Sequence, residues 1–375
     1  MTDPTATEQR VSPLHRIHTA AGASFTDFAG WQMPVRYSSE LAEHHAVREA
    51  AALFDLSHMS EILVLGPEAP DALDYALAGN LSSMAVGQAK YSLLLARSGG
   101  ILDDVVVYRT GEDRYLVVAN ASNRDTVTAE LLDRCSPFEC EVQDESDDIA
   151  LVALQGPRAL EILREVPGVS ADGLDELGYY RCVAGEFGDH ALLTARTGYT
   201  GENGFELYLA PEAAPALWEA IVETGAGSGL VTAGLASRDT LRLEAGMPLY
   251  GHELGPHILP VQAGLGRVVD LAKEGDFVGR AAIELGPDEG ARVLVGLESG
   301  GRRAGRAGYA VYAGEDNDPV GEVTSGALSP TLGHPIAMAY VDLEFCEPGT
   351  ELFLDVRGTR VPASVVPLPF YKREA

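Results

Sequence analysis

Ile62-Leu63-Val64-Leu65-Gly66-Pro67 is an apolar run cut short by a glycine and a proline. Four such residues before a turn signal read as a buried strand. The pattern returns at Leu151-Val152-Ala153-Leu154 with Pro157, and at Leu207-Tyr208-Leu209 with Pro211. Proline suits the first helical turn, where its missing N–H costs nothing, so each run predicts a strand feeding a helix that opens on the proline. The three runs are unevenly spaced, which makes them one packing unit reused rather than a solenoid period.

Upstream, Ser39 is placed to cap a helix whose Leu41, Ala42, His45, Ala46, Glu49 and Leu53 form one apolar stripe. Between the first two units, Gly99-Gly100 turns into Ile101 to Tyr108, and Thr110-Gly111-Glu112-Asp113 turns into Tyr115 to Ala119, a hairpin. Gly225-Ala226-Gly227-Ser228-Gly229 reads as a loop. After Gly286-Pro287-Asp288-Glu289-Gly290 come short β-rich runs at 293–297, 310–312, 321–324, 336–341, 352–356 and 361–366, with turn residues between them. They predict a small all-β barrel or jelly roll closing an α+β chain.

At 375 residues the chain is long enough for two or three domains and needs no disulfide or metal staple. No apolar run is long enough to span a bilayer. The polar stretch Met1 to Arg16 resembles neither a secretory signal nor a transit peptide, so the expected compartment is the cytoplasm. A net charge of −29, with only three lysines, disfavours nucleic acid and anionic membranes as partners. The four cysteines form no C-x-x-C pair and read as small buried residues. Phosphate-loop, nucleophile-elbow and H-E-x-x-H signatures are absent. The glycines at 225–229 lack dinucleotide spacing, and the scattered histidines form no metal-ligand set.

Three polar constellations need an account. In Ile101-Leu102-Asp103-Asp104-Val105-Val106-Val107-Tyr108, alternation sends Asp103 and Asp104 to opposite faces, with Asp104 beside Val106 and Tyr108. A carboxylate next to a tyrosine on a half-apolar wall suits a flat polar heterocycle. The plainer reading is one turn cap and one surface ion pair. In Thr197-Gly198-Tyr199-Thr200-Gly201-Glu202-Asn203-Gly204-Phe205-Glu206, the following strand puts Phe205, Leu207 and Leu209 on one face and Glu206 with Tyr208 on the other. Glu206 is either an acceptor for paired N–H donors, such as an aminopyrimidine edge, or a solvent-facing residue. In Gly234-Leu235-Ala236-Ser237-Arg238-Asp239-Thr240-Leu241-Arg242, Ser237 is a possible cap. Arg238 and Arg242 serve either a ligand or helix-surface ion pairs, and an arginine at a helix start works against the macrodipole.

Phe28-Ala29-Gly30-Trp31-Gln32-Met33-Pro34 and Phe54-Asp55-Leu56-Ser57-His58-Met59 resemble the opening of the glycine-cleavage T-protein family, the tetrahydrofolate-dependent aminomethyltransferases. The three constellations match that family in order, as does Ser325-Gly326-Ala327-Leu328-Ser329-Pro330-Thr331-Leu332-Gly333. The resemblance runs from about Leu14 to Tyr371. It implies a three-domain cloverleaf around a central folate channel: a discontinuous first domain (1–55 with 146–285), an inserted α+β domain (56–145) carrying the Asp103-Asp104 hairpin, and a C-terminal barrel (291–375). It implies that Asp104 is catalytic and that Glu206, Arg238, Tyr199, Tyr108, Tyr91, Asn120 and Met59 bind or wall the folate.

The chemistry implied by this family transfers an aminomethyl group from the lipoyl sulfur of the H-protein, with loss of ammonia, giving 5,10-methylenetetrahydrofolate. That needs a proton acceptor near the folate nitrogens and a negative charge for an iminium-like species, and one carboxylate can supply both. Tetrahydrofolate enters as co-substrate; no metal and no tightly bound flavin or nucleotide is implied. The sequence departs from the family at Ala236-Ser237, where Gly-Ala is common, and at Arg267, where some relatives carry an aromatic. The net charge asks for local compensation, with Arg302, Arg303 and Arg306, or Lys372 and Arg373, as candidates. Two rivals share the fold: a folate-dependent demethylase, and a non-enzymatic folate-binding protein of iron–sulfur assembly. The second carries a Lys-Gly-Cys motif not found here, whereas Gly246-Met247-Pro248-Leu249-Tyr250-Gly251 and Phe277-Val278-Gly279-Arg280 resemble the transferase versions.

Overall fold

The computed structural model describes residues 9–314 and 318–373, so half of the polar N-terminal stretch lies outside the described residues. Ala51–Asp55 and Ala150–Gln155 are buried along their whole length and stand side by side toward one edge of a seven-stranded sheet. The sheet continues through Gly204–Leu209, His190–Ala195, Cys182–Phe187 and Val169–Ala171 on one side. Leu230–Thr232 adds a parallel strand on the other. The segment between Asp55 and Ala150 builds a separate five-stranded antiparallel sheet: Ala89–Leu95, Ile101–Gly111, Arg114–Ala119, Ser60–Leu65 and Glu141–Asp144. A third, three-stranded sheet joins Arg10–Val11, Trp31–Arg36 and Ser24–Phe28.

Alternation decides what each strand face meets. Phe205, Leu207 and Leu209 pack with Leu217, Trp218 and Ile221 of the helix Ala214–Gly225. On the reverse face Tyr208, Leu151, Ala153 and Phe54 meet Tyr108, Leu116, Val118 and Leu63 of the five-stranded sheet. The two sheets therefore share a core, and the cavity described below lies beside it. The C-terminal runs close a six-stranded barrel of Val293–Ser299, Pro335–Val341, Pro319–Leu328, Ala310–Tyr312, Glu351–Val356 and Thr359–Val366. The 225–229 stretch forms a short 3-10 turn at Ala226–Ser228 that ends on left-handed Gly229.

Two expectations need correction. Pro67, Pro157 and Pro211 do not open helices; they lie in turns ahead of Ala69–Ala76, Ala159–Glu165 and Ala214–Gly225. The prolines inside first turns are Pro70 and Pro215. What the first two units require is the glycine before the proline. Gly66 and Gly156 sit at φ 131° and 135°, and a Cβ on Gly156 would stand 2.5 Å from the Ala50 carbonyl oxygen. Gly156→Ala is expected to lower unfolding free energy by about 1–3 kcal/mol, read from the urea midpoint.

Ser39 does cap Glu40–Glu49, accepting from the Ala42 N–H, but the buried face of that helix is Glu43, His44 and Val47. Leu41 is exposed, and Leu53 belongs to the following strand. The polar face is buried because its partners come from distant sequence. Glu43 accepts from the N–H groups of Tyr37, Ser38 and Gly234. His44 bonds the hydroxyls of Thr240 and Thr331.

Candidate active site

A cavity of about 450 Å³ opens where the two large sheets meet the helix Leu235–Glu244 and the segment 246–252. All eight residues singled out from sequence line it: Met59, Tyr91, Asp104, Tyr108, Asn120, Tyr199, Glu206 and Arg238. Val106 and Tyr108 share the wall with Asp104, as strand alternation requires. The surface ion-pair reading of Asp104 falls, because its partners are a phenol and an amide. Tyr91 Oη donates to Asp104 Oδ2 at 3.0 Å, and Asn120 Nδ2 to Asp104 Oδ1 at 2.9 Å.

Asn120 stands there for a reason of register. Val106 pairs with Val118, and two steps further the end of Arg114–Ala119 comes opposite Asp104. Asp103, fully buried on the other face, accepts from the Asn120 N–H at 3.1 Å, Asn120 Nδ2 at 2.8 Å and Asn123 Nδ2 at 2.7 Å. Burial pushes Asp104 up to about 6, and the Tyr91 and Asn120 bonds hold it from going higher. Burial, with the charge of Asp104 added, pushes Asp103 up to about 7.

Glu206 is buried, so it does not face solvent. Tyr108 Oη, at 3.2 Å, and Thr197 Oγ1 both donate to its Oε2. Tyr208 Oη donates in turn to Tyr108 Oη at 3.1 Å. The two arginines divide as the sequence could not. Arg242 is tied to Glu253 at 3.1 Å and to Ser325 Oγ at 2.8 Å. Arg238 lies over the Tyr199 ring with its Cζ 4.8 Å from the centroid, and its buried Nη1 has no hydrogen-bond partner. A buried guanidinium donor left open toward a cavity calls for an acceptor from a ligand.

Thr197 and His58 also line the cavity, in stretches where the sequence pattern gives them no role, and Tyr208 lies beside Glu206 as alternation predicts. His58 lines the cavity edge-on to Phe28, with its Nδ1 unpartnered. Burial, reinforced by Arg238 and opposed by Asp55, brings it down to about 4, so it stays neutral at physiological pH. Arg267, Arg302, Arg303, Arg306 and Lys372 are exposed, and none of them or Arg373 lines the cavity. The arginines that line the cavity are Arg238 and Arg242, and of these only Arg238 has a buried donor left without a partner. Among the described residues no cluster of potential metal ligands occurs, and no helix is long and apolar enough to cross a membrane.

Fold and site together define a cavity into which a carboxyl group and an unpartnered guanidinium donor face. Comparison with known proteins gives the family. The GCVT N-terminal domain matches residues 14–273, and the glycine cleavage T-protein C-terminal barrel domain matches residues 292–372. An aminomethyltransferase of Cutibacterium acnes is 57% identical, covering 98% of this chain and 100% of its own. One from Saccharopolyspora erythraea is 55% identical, covering 98% and 99%. The crystal structure of glycine cleavage system aminomethyltransferase T from Bartonella henselae superposes with a TM-score of 0.88 at 38% identity, over 97% of this chain and 99% of that one. The chain belongs to the glycine cleavage T-protein family, and it is an enzyme, an aminomethyltransferase.

Proposed function

We propose that this enzyme takes the aminomethyl group from the lipoyl arm of the glycine cleavage H-protein, releases ammonia and passes the carbon to tetrahydrofolate, in the cytoplasm. The observation that carries the reading is the Asp104 carboxyl, held at both oxygens and open to a cavity that also contains an unpartnered arginine donor. Tetrahydrofolate supplies the two nitrogens that accept the carbon. Glu206, whose two hydrogen bonds both end on Oε2, keeps Oε1 free to accept from the N–H donors of an aminopyrimidine edge. Arg238 Nη1 offers a donor to a carbonyl or carboxylate of the same molecule. Tyr199, Tyr108, Tyr91 and Met59 supply the wall for a flat ring.

Asp104 then has two tasks. It receives a proton at Oδ1 or Oδ2, and its charge offsets positive charge developing on the transferred carbon. Tyr91 and Asn120 fix its direction, which matters because orientation alone can contribute about 7–11 kcal/mol. Sheet membership supports the division into 1–55 with 146–285, 56–145, and 291–375. The free, partly or fully buried thiols suit a reducing compartment.

Calorimetric titration with tetrahydrofolate and identification of the product test the reading together. Arg238→Met is expected to weaken tetrahydrofolate binding by about tenfold or more, as loss of a hydrogen bond from a charged donor does. The product from loaded carrier is expected to be 5,10-methylenetetrahydrofolate. Formation of 5-methyltetrahydrofolate from methylated amines without carrier would instead establish a demethylase.

A further inference from the structure

Asp103 has no place in the reaction as described so far, yet its carboxyl is fully buried within reach of the same amide that holds Asp104. The two side chains leave opposite faces of one strand. They meet again at Asn120, which lies just past Ala119, the last residue of the neighbouring strand. Asn120 Nδ2 has two protons, and the Asp103 and Asp104 oxygens lie 2.8 Å and 2.9 Å away. Asp103 receives three donors and Asp104 two, the latter with one side open to the cavity.

We propose that Asp103 is a positioning residue that works with Asp104 as one acid–base unit, two carboxyls bridged by Asn120 that carry one proton and one negative charge between them. Like charges this close and this buried do not both ionise readily, so their titration belongs to the pair. The titratable groups that feel the pair from other elements are Tyr91, Tyr180, Tyr199 and Tyr250. All are phenols, and no cation contributes to setting either carboxyl. Arg238 and Arg242 line the same cavity, but neither is among the groups that set the two carboxyls.

The chemistry has a use for such a pair. In the proposed transfer the carbon exchanges its bonds to sulfur and nitrogen for bonds to two folate nitrogens. Each of those nitrogens gives up one proton, the carrier sulfur gains one, and the departing amine gains the other. A lone carboxylate can only accept first; a pair holding one proton can accept and donate within the same site. This inference rests on Asp104 being the group that handles protons.

The test is a pH titration of carboxyl ¹³C shifts in protein labelled at aspartate, with Asp103→Asn and Asp104→Asn assigning the two signals. In the unmodified protein each signal is expected to move in two steps separated by about one pH unit or more. In either variant the remaining carboxyl is expected to move in one step, with the upper step gone. The pH profile of kcat/KM in Asp103→Asn is expected to change shape by losing that upper ionisation, whereas a merely structural residue would lower it equally at every pH. Two independent one-step curves, unmoved by removal of the partner, would overturn the pairing. Should Asp103→Asn fail to fold, the unmodified protein's curves decide alone. Unimpaired turnover in Asp104→Asn would refute the role of Asp104 instead, whatever the titration shows.

Discussion

Asp104→Asn is expected to reduce kcat by about 10²–10⁴-fold, the range for loss of a positioned general acid or base, while tetrahydrofolate affinity changes less than about threefold. Asparagine keeps the size and can still accept from Tyr91, so the cavity wall survives. What disappears is the site that takes a proton and the negative charge opposite the transferred carbon. With burial pushing Asp104 up to about 6, the lower ionisation of the carboxyl pair is expected near that value, and kcat/KM of the unmodified enzyme is expected to fall as pH drops through it. Folding is expected to suffer little. A carboxyl raised above its unfolded value binds its proton more tightly when native, so native stability declines as pH rises from about 4 to about 6. Asparagine removes that liability. Near-normal turnover in the variant would end the assignment.

The second large effect concerns the joint between the barrel and the rest of the chain. Glu244, fully buried at the end of Leu235–Glu244, accepts from Ser329 Oγ, from the Thr331 N–H at 3.0 Å and from Thr331 Oγ1 at 2.7 Å. Arg48 Nη2 lies 2.8 Å away and His44 Nε2 3.2 Å away. One carboxylate thus ties two helices to the loop after Pro319–Leu328. Glu244→Ala leaves Arg48 short of a partner and three barrel donors without an acceptor, and is expected to cost about 3–5 kcal/mol in urea unfolding. The pH dependence has a definite sign. Burial pushes the Glu244 pKa up, but the bonds from His44, Ser329 and Arg48 outweigh it and hold the group at about 2. Its contribution is therefore complete above the ordinary value of 4.5 and is lost as pH falls toward about 2. The variant should show a shallower acid-unfolding slope in that window.

Alternation and turn chemistry made much of this molecule legible from its residues. The barrel strands, the hairpin and the opposed faces of Gly204–Leu209 follow from a period of two, which needs no partner to be read. The same period places Asp104 beside Tyr108 and Glu206 beside Tyr208. The helix Glu40–Glu49 misled for the converse reason. Its buried face is polar, and only the Gly234 N–H and the Thr331 hydroxyl, far along the chain, make that burial tolerable. Arg238 and Arg242 were indistinguishable for the same cause: Glu253 and Ser325 decide which one is spent on structure. The bridge through Asn120 was equally hidden, since it depends on where a neighbouring strand stops.

The claim that a carboxyl open to this cavity moves carbon from carrier to folate meets its most direct check in ammonia release from aminomethylated H-protein, followed with and without tetrahydrofolate. We expect release to accelerate strongly when tetrahydrofolate is added and to match 5,10-methylenetetrahydrofolate mole for mole, with both lost together in Asp104→Asn. Release at the same rate with and without folate, or unaffected by that substitution, would contradict it.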